Sequence, residues 1–175
     1  IPYRIRSFAK IAENPKETID FDFSSHSAIM DLVNGLGSDG RLVLNEDKTV
    51  YHVTLFEKLL VLSLAKICNY VPGAGIWLNT QRPEWNDANN ALVGNGTSMV
   101  TVYYLKRFID FFKGLITKIK NDNVDISSEV YWWFSEVEKT IIRNKSVNHT
   151  VCSDKDRMKY VSSLGKNFES YREKI

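Results

Sequence analysis

The chain has 175 residues and a mass of 20.1 kDa, enough for one domain with one sizeable core. Hydrophobic residues make up 43% and charged residues 25%, which excludes a disordered, collagen-like or disulfide-framework chain. With 23 Lys and Arg against 21 Asp and Glu, the net charge is +2 and the signs are mixed along the chain, so no broad field would recruit nucleic acid or an anionic membrane.

In chain order, the opening Ile-Pro-Tyr lacks Met and a basic-then-apolar leader. It reads as the start of a processed or truncated product, with a cytoplasmic setting favoured over a secreted one. Residues 1 to 24 show no steady period. Asn14-Pro15 reads as a turn, and Ile19, Phe21 and Phe23 alternate with polar residues like a short strand or extended arm. Ser24 or Ser25 is placed to cap a short helix carrying Ile29, Leu32 and Val33, with Gly35 and Gly37 as its stop. Ser38-Asp39-Gly40 and Glu46-Asp47-Lys48 are turn clusters around Arg41–Asn45, which gives either a small hairpin or a long ordered loop.

The first strong helical pattern runs from about Thr54 to Tyr70. Leu55, Leu59, Leu62 and Ile67 fall near helical spacing, and Phe56, Leu60, Leu64 and Cys68 widen the stripe. A helix apolar over so much of its circumference is expected to be buried on most sides. Residues 71–75, Val-Pro-Gly-Ala-Gly, end it. A second long helix is predicted over about Thr97 to Lys120. Val102, Leu105, Ile109, Phe112, Ile116 and Ile119 line one face, and Met99, Phe108, Phe111 and Leu115 an adjacent one. Lys106, Arg107, Asp110, Lys113 and Lys118 break this run, so it does not read as a membrane span. A third helix, capped by Asp125 or Ser127, carries Val130, Trp133, Phe134, Val137 and Ile141 through Asn144. Ser153, paired with Asp156, caps a last helix bearing Met158, Val161, Leu164, Phe168 and Tyr171.

Cys68 and Cys152 lie far apart without a CxxC partner and read as free thiols, with one disulfide left open. His26, His52 and His149 are scattered, and no metal ligand set is expected. Three Asn-x-Ser/Thr triplets, at Asn95, Asn144 and Asn148, match the number chance supplies. Gly94-Asn-Gly96 ahead of a helix is a candidate anion site at a helix N-terminus. Tyr131-Trp-Trp-Phe134 places aromatic rings all round one helix, which reads as core plus interface.

The most informative stretch joins the two apolar helices and yet is long and polar, running from Asn79 to Gly96. Loops of that length between packed helices usually carry function. It offers carboxylates (Glu84, Asp87), carboxamides (Asn79, Gln81, Asn86, Asn89, Asn90), a guanidinium (Arg82) and an indole (Trp85). Carboxamides and Arg bond hydroxyls, an indole face stacks on a pyranose, and a carboxyl group handles the glycosidic proton. That is the inventory of a sugar site. A capping and turn cluster that orders a surface loop would draw on the same residue types.

Residues 84–90, Glu-Trp-Asn-Asp-Ala-Asn-Asn, followed by Leu-Val-Gly, resemble the Asp-Trp-Asn-Asp-Gly-Met-Asn…Val-Gly motif of the cellobiose and chitobiose phosphorylases, glycoside hydrolase family 94. These belong to the wider group of (α/α)6-toroid carbohydrate enzymes. The resemblance covers 40 to 60 residues around the motif. It implies that Asp87 is the general acid that protonates the glycosidic oxygen and that Trp85 lines the sugar subsite. Asn86 and Asn90 fall on the two motif Asn. Glu84 replaces an Asp, keeping charge but lengthening the arm, and Ala88-Asn89 replace Gly-Met. Arg82, Glu84, Asn86 and Asn90 are the expected sugar contacts. Inorganic phosphate is the co-substrate if the reaction is phosphorolysis, and no other cofactor is implied. Hydrolysis would need a second carboxylate across the ring, for which Asp20, Asp22, Asp31 and Asp39 are candidates by elimination only. The family's phosphate-binding segment has no counterpart here.

The expectation is therefore an all-α fold over residues 1–175, part of an (α/α)6 toroid, with a short β-hairpin or extended arm near the N-terminus. The chain would be a piece of a larger carbohydrate-active protein that cleaves a glycosidic bond of an oligosaccharide with inversion. Its other partners would be the remaining segments of that protein or copies of itself, with no nucleic acid and no membrane. The alternative is a non-catalytic helical module that binds a glycan or a protein partner.

Overall fold

A computed structural model describes residues 2–78, 94–119, 123–148 and 152–175. Six α-helices, two short 3-10 helices (Gly37–Arg41 and Lys145–Asn148) and five short strands make up the regular structure of those residues, so the protein is predominantly helical but not purely so.

In the N-terminal arm the strand expected around Ile19 is present, and a short helix is added that the sequence did not suggest. Strand β1 (Tyr3–Ile5) pairs antiparallel with β2 (Ile19–Phe21), Arg4 opposite Asp20. Between them lies α1 (Phe8–Glu13), capped by Ser7, whose side chain accepts from Lys10 N. The helix is too short to show a period, and this hides it in the sequence. Charge fastens the arm. Arg6 reaches both Glu17 and Asp20, and Arg4 Nε lies 2.6 Å from Asp22 Oδ2.

Helix α2 (Phe23–Leu36) is capped by Asp22 rather than by Ser24 or Ser25. The Asp22 carboxylate accepts from the Ser24 hydroxyl and from both the backbone and the hydroxyl of Ser25. A carboxylate is the stronger acceptor at a helix N-terminus, where the free N–H groups carry partial positive charge. Gly35 lies inside the helix, and the stop is Gly37 alone, at φ 67°. Residues 41–50 hold a single bridge, Leu44 to Val50. Tyr51 N donates to Val43 O and Asn45 N to Thr49 O across it, so the segment is a minimal hairpin with one bridged pair.

Helix α3 (Leu55–Ile67) starts where expected, with Thr54 as its cap. It ends three residues early because Tyr70–Val71 (β3) turn into an antiparallel ladder with Gly75–Trp77 (β4), and β4 pairs in turn with Thr97–Ser98 (β5). Helix α4 (Met99–Ile116) follows directly, its first turn capped by Ser98. Helix α5 (Ser128–Arg143) begins after Ser127, and α6 (Asp154–Arg172) after Ser153, whose hydroxyl both accepts from Asp156 N and donates to its carboxylate.

The core lies where α3, α5 and α6 meet. Leu60, Leu64 and Cys68 pack with Val130, Trp133 and Val137 and with Tyr160, Leu164 and Tyr171, and α4 adds Phe112. Trp133 is fully enclosed and stacks on both Phe168 (ring centroids 5.0 Å apart) and Tyr171 (4.2 Å). The predicted faces of α5 and α6 are largely the buried ones. Phe134 and Met158 are exceptions and face solvent, while Tyr160, absent from the expected stripe, is buried.

The two apolar helices are not enclosed as their composition suggested. Leu55 and Leu62 of α3 are exposed, and so are Met99, Ile109, Phe111 and Ile116 of α4. Phe112 is the one fully buried residue of α4. Apolar composition says that a face favours burial, but a neighbouring element is needed to bury it.

Candidate functional site

Arg82, Glu84, Trp85, Asn86, Asp87 and Asn90 all lie outside the described residues. What the structure describes is the frame that carries them. Leu78 and Gly94 bracket residues 79–93, and these two points are joined directly. Gly94 N donates to Leu78 O at 2.6 Å, and Leu78 N donates to Gly96 O at 3.0 Å. Trp77 Nε1 donates to Gly94 O at 3.0 Å. One residue further in, the β4–β5 ladder pairs Trp77 with Thr97 and Ile76 with Ser98. Trp77 N also donates to Asn69 O at 2.7 Å, which ties the neck to the end of α3.

Two glycines make this neck possible. Gly75 has φ 138°, and a Cβ there would lie 2.9 Å from Ser98 O. Gly94 has φ 80°, and a Cβ would come within 2.3 Å of Pro15 O. Only glycine accepts both the backbone angle and the close approach. The N-terminal arm is thus wedged against the base of the motif segment. This corrects the anion reading of Gly94-Asn-Gly96. Its glycines serve a strand neck, and the helix begins later, at Met99 behind the Ser98 cap.

Beside the neck is a depression of about 360 Å³ lined by Phe8, Pro15, Val71, Trp77, Arg157 and Met158 among others. Arg157 closes one side by donating from Nε to Pro72 O. Trp77 therefore presents an indole next to the base of the motif segment. It is one of four Trp in the chain, yet its position after a Gly-rich turn gave no sequence signal of a role.

A second cavity, of about 680 Å³, holds Glu57, Tyr51, Ser127, Glu129 and Tyr171. Glu57 is 5% exposed. Its carboxylate accepts from Ser127 N at 2.9 Å and from Ser127 Oγ at 2.6 Å, and Tyr51 Oη lies 3.1 Å from the same hydroxyl. Glu57 thus caps α5 from another helix. The Thr54-x-x-Glu57 spacing is the sequence of a capping box, and Thr54 Oγ1 does accept from Glu57 N. The carboxylate, however, reaches Ser127, 70 positions away. Both Glu57 oxygens are occupied, so its geometry is that of a structural group. Burial first, then the nearby Glu57 and Glu129 carboxylates, push the Tyr171 phenol up from its ordinary value, leaving it neutral at physiological pH.

The other chemistry-bearing residues have settled roles. Cys68 is buried, and burial pushes its thiol up to about 12. It is a core thiol without nucleophilic character at neutral pH. Both cysteines are free. Of the carboxylates considered as a base by elimination, Asp20 pairs with Arg6 and Asp22 caps α2. The Ser24 and Ser25 groups, then Arg4, hold the Asp22 carboxyl well below the usual range. Among the described residues, no three His, Cys, Asp or Glu side chains gather to hold a metal ion. Nor is any described helix long and apolar enough to cross a membrane.

No family model matches the chain, and no curated protein matches it.

Proposed function

We propose that this chain is a helical domain of a carbohydrate-active protein that cleaves a glycosidic bond, with Asp87 as general acid. Trp85 is the stacking platform, and Arg82, Glu84, Asn86 and Asn90 are the sugar contacts. The observation that carries the reading is the Trp85-Asn86-Asp87 core with its Asn90 and Val-Gly continuation. The neck below it supports the reading. A general acid must be held close to its productive geometry, and the residues that bracket 79–93, Leu78 and Gly94, are hydrogen-bonded to each other. An inverting reaction protonates the leaving oxygen from one face while the attacker comes from the other. Phosphorolysis is favoured over hydrolysis because the motif is most similar to that of the phosphorylases, and phosphate needs no carboxylate base to activate it.

In this proposal the helices form part of an (α/α)6 toroid, and the outer face of α4 is where the next helices of the ring pack. That exposed face also favours a second reading, a non-catalytic module that docks on a protein partner. Asp87→Asn separates the two. Turnover of cellobiose and chitobiose is followed with and without inorganic phosphate, alongside disaccharide binding. For the enzyme, the variant loses about 10²-fold or more in turnover and keeps its binding. Unchanged turnover in the variant, or none in the parent protein, overturns it.

A further inference from the structure

A small cavity of about 100 Å³ lies where the N-terminal arm meets α6. Its polar lining is Thr18, Asn69 and Arg172, and its walls are the apolar side chains of Ile5, Phe8, Ile11, Ile19 and Phe168. Thr18 is 1% exposed, and its hydroxyl has no hydrogen-bond partner. Arg172 sits over the Phe168 ring, 4.4 Å from its centroid. Among the described residues no carboxylate lies within ion-pair distance of Arg172 and no acceptor bonds it. Glu169 is the nearest candidate on its own helix, but its Oε2 accepts from Phe8 N. Burial weakens the charged form of Arg172, and Glu169, Cys68 and Glu173 only partly offset this.

We propose that this cavity binds a small oxyanion the size of inorganic phosphate. A half-buried guanidinium with no bonded acceptor, stacked on the Phe168 ring, and a buried hydroxyl with no partner line one cavity, and both call for an acceptor. Water can satisfy the hydroxyl and accept from the guanidinium, but it brings no opposite charge. A phosphate-like anion does, through charge-assisted hydrogen bonds to the guanidinium fork. No carboxylate lines the cavity to repel it. The volume admits several water-sized groups and is too small for a sugar ring as well, so the ligand is the free anion. The inference does not rest on the glycosidic reading.

The test is titration of the full chain with inorganic phosphate at constant ionic strength, with chloride as the control. Trp133 fluorescence and the melting temperature are followed together. Trp133 stacks on Phe168, the ring that carries Arg172, so it lies one contact from the site. Saturable binding is expected in the parent protein. Arg172→Gln should weaken it by about tenfold or more. Thr18→Val, which keeps shape and leaves Arg172 in place, should weaken it by about threefold. Unchanged circular dichroism confirms that each variant is folded, and Thr18→Val keeps the test decisive if Arg172→Gln unfolds. No response beyond chloride in the parent, or equal affinity in a folded variant, overturns the site. Tighter binding of a sugar phosphate than of phosphate overturns the free-anion assignment.

Discussion

Helix α4 and the pair α5–α6 use apolar residues in different ways. Helix α4 has 18 residues, of which Phe112 alone is buried, while Ile109, Phe111 and Ile116 face outward. Helix α5 has 16 residues with a more polar composition, yet Val130, Trp133, Val137 and Thr140 are buried. The difference lies in neighbours. Helix α5 packs along α6 and against α3, while among the described residues α4 meets chiefly α3 and strand β4. A trough of about 750 Å³ opens between α3, α4 and α5, lined by Phe56, Ile67, Ile109, Ile116 and Phe134 among others. Composition sets how much a face gains from burial, and topology sets whether it is buried.

The sharpest way to break that comparison is at the seam. Trp133→Ala removes the side chain that Phe168 and Tyr171 stack upon, and should cost about 3–5 kcal/mol, read by denaturant unfolding. A loss below 1 kcal/mol would mean that α5 and α6 are not held by this contact. Next in size is Gly165→Ala on α6. Its Cβ would meet the Phe8 ring at 2.1 Å, so the arm must shift, at a cost of about 1–3 kcal/mol.

Acid should separate the arm from the seam. The Asp22 carboxyl is held low by the Ser24 hydroxyl, by the Ser25 backbone and hydroxyl, and by Arg4. A group whose folded value lies below its unfolded value stabilises above the unfolded pKa, about 3.9. That contribution is lost as pH falls further, through the folded value. Asp20, held low by Arg6, acts in the same direction. Amide exchange in β1, β2 and the first turn of α2 should therefore rise below about pH 4, before the α5–α6 seam opens. Simultaneous opening would show that the arm is not fastened by charge. The smallest effect is expected on the outer face of α4. Phe111 is 58% exposed, and Phe111→Asn should change stability by no more than about 0.5 kcal/mol while raising solubility. A large loss of stability would mean that this face is covered in solution.

Much of the helical organisation was legible in the sequence because caps and periodicity are local. Thr54, Ser127 and Ser153 each stand at the start of a helix, and Val130, Trp133 and Val137 mark the buried face of α5. The cap of α2 was misread by two or three residues because Asp22, Ser24 and Ser25 can all accept from backbone N–H groups, and only geometry shows that Asp22 takes them. Helix α1 was missed because six residues are too few to display a period. The candidate sugar residues were legible as a motif. The neck below them was not, since it depends on hydrogen bonds from Leu78 to Gly94 and Gly96 and on Gly94 fitting against Pro15.

By itself the sequence determined where the long helices start, which residue types fill them, and where an unusual polar segment interrupts them. Those properties follow from neighbours along the chain. Tertiary structure decided that Glu57 caps a distant helix, that Arg172 and Thr18 share one cavity, and that α4 leaves an apolar face open. Each of these depends on which elements meet in space, and burial and pairing energies are properties of those meetings rather than of any single residue.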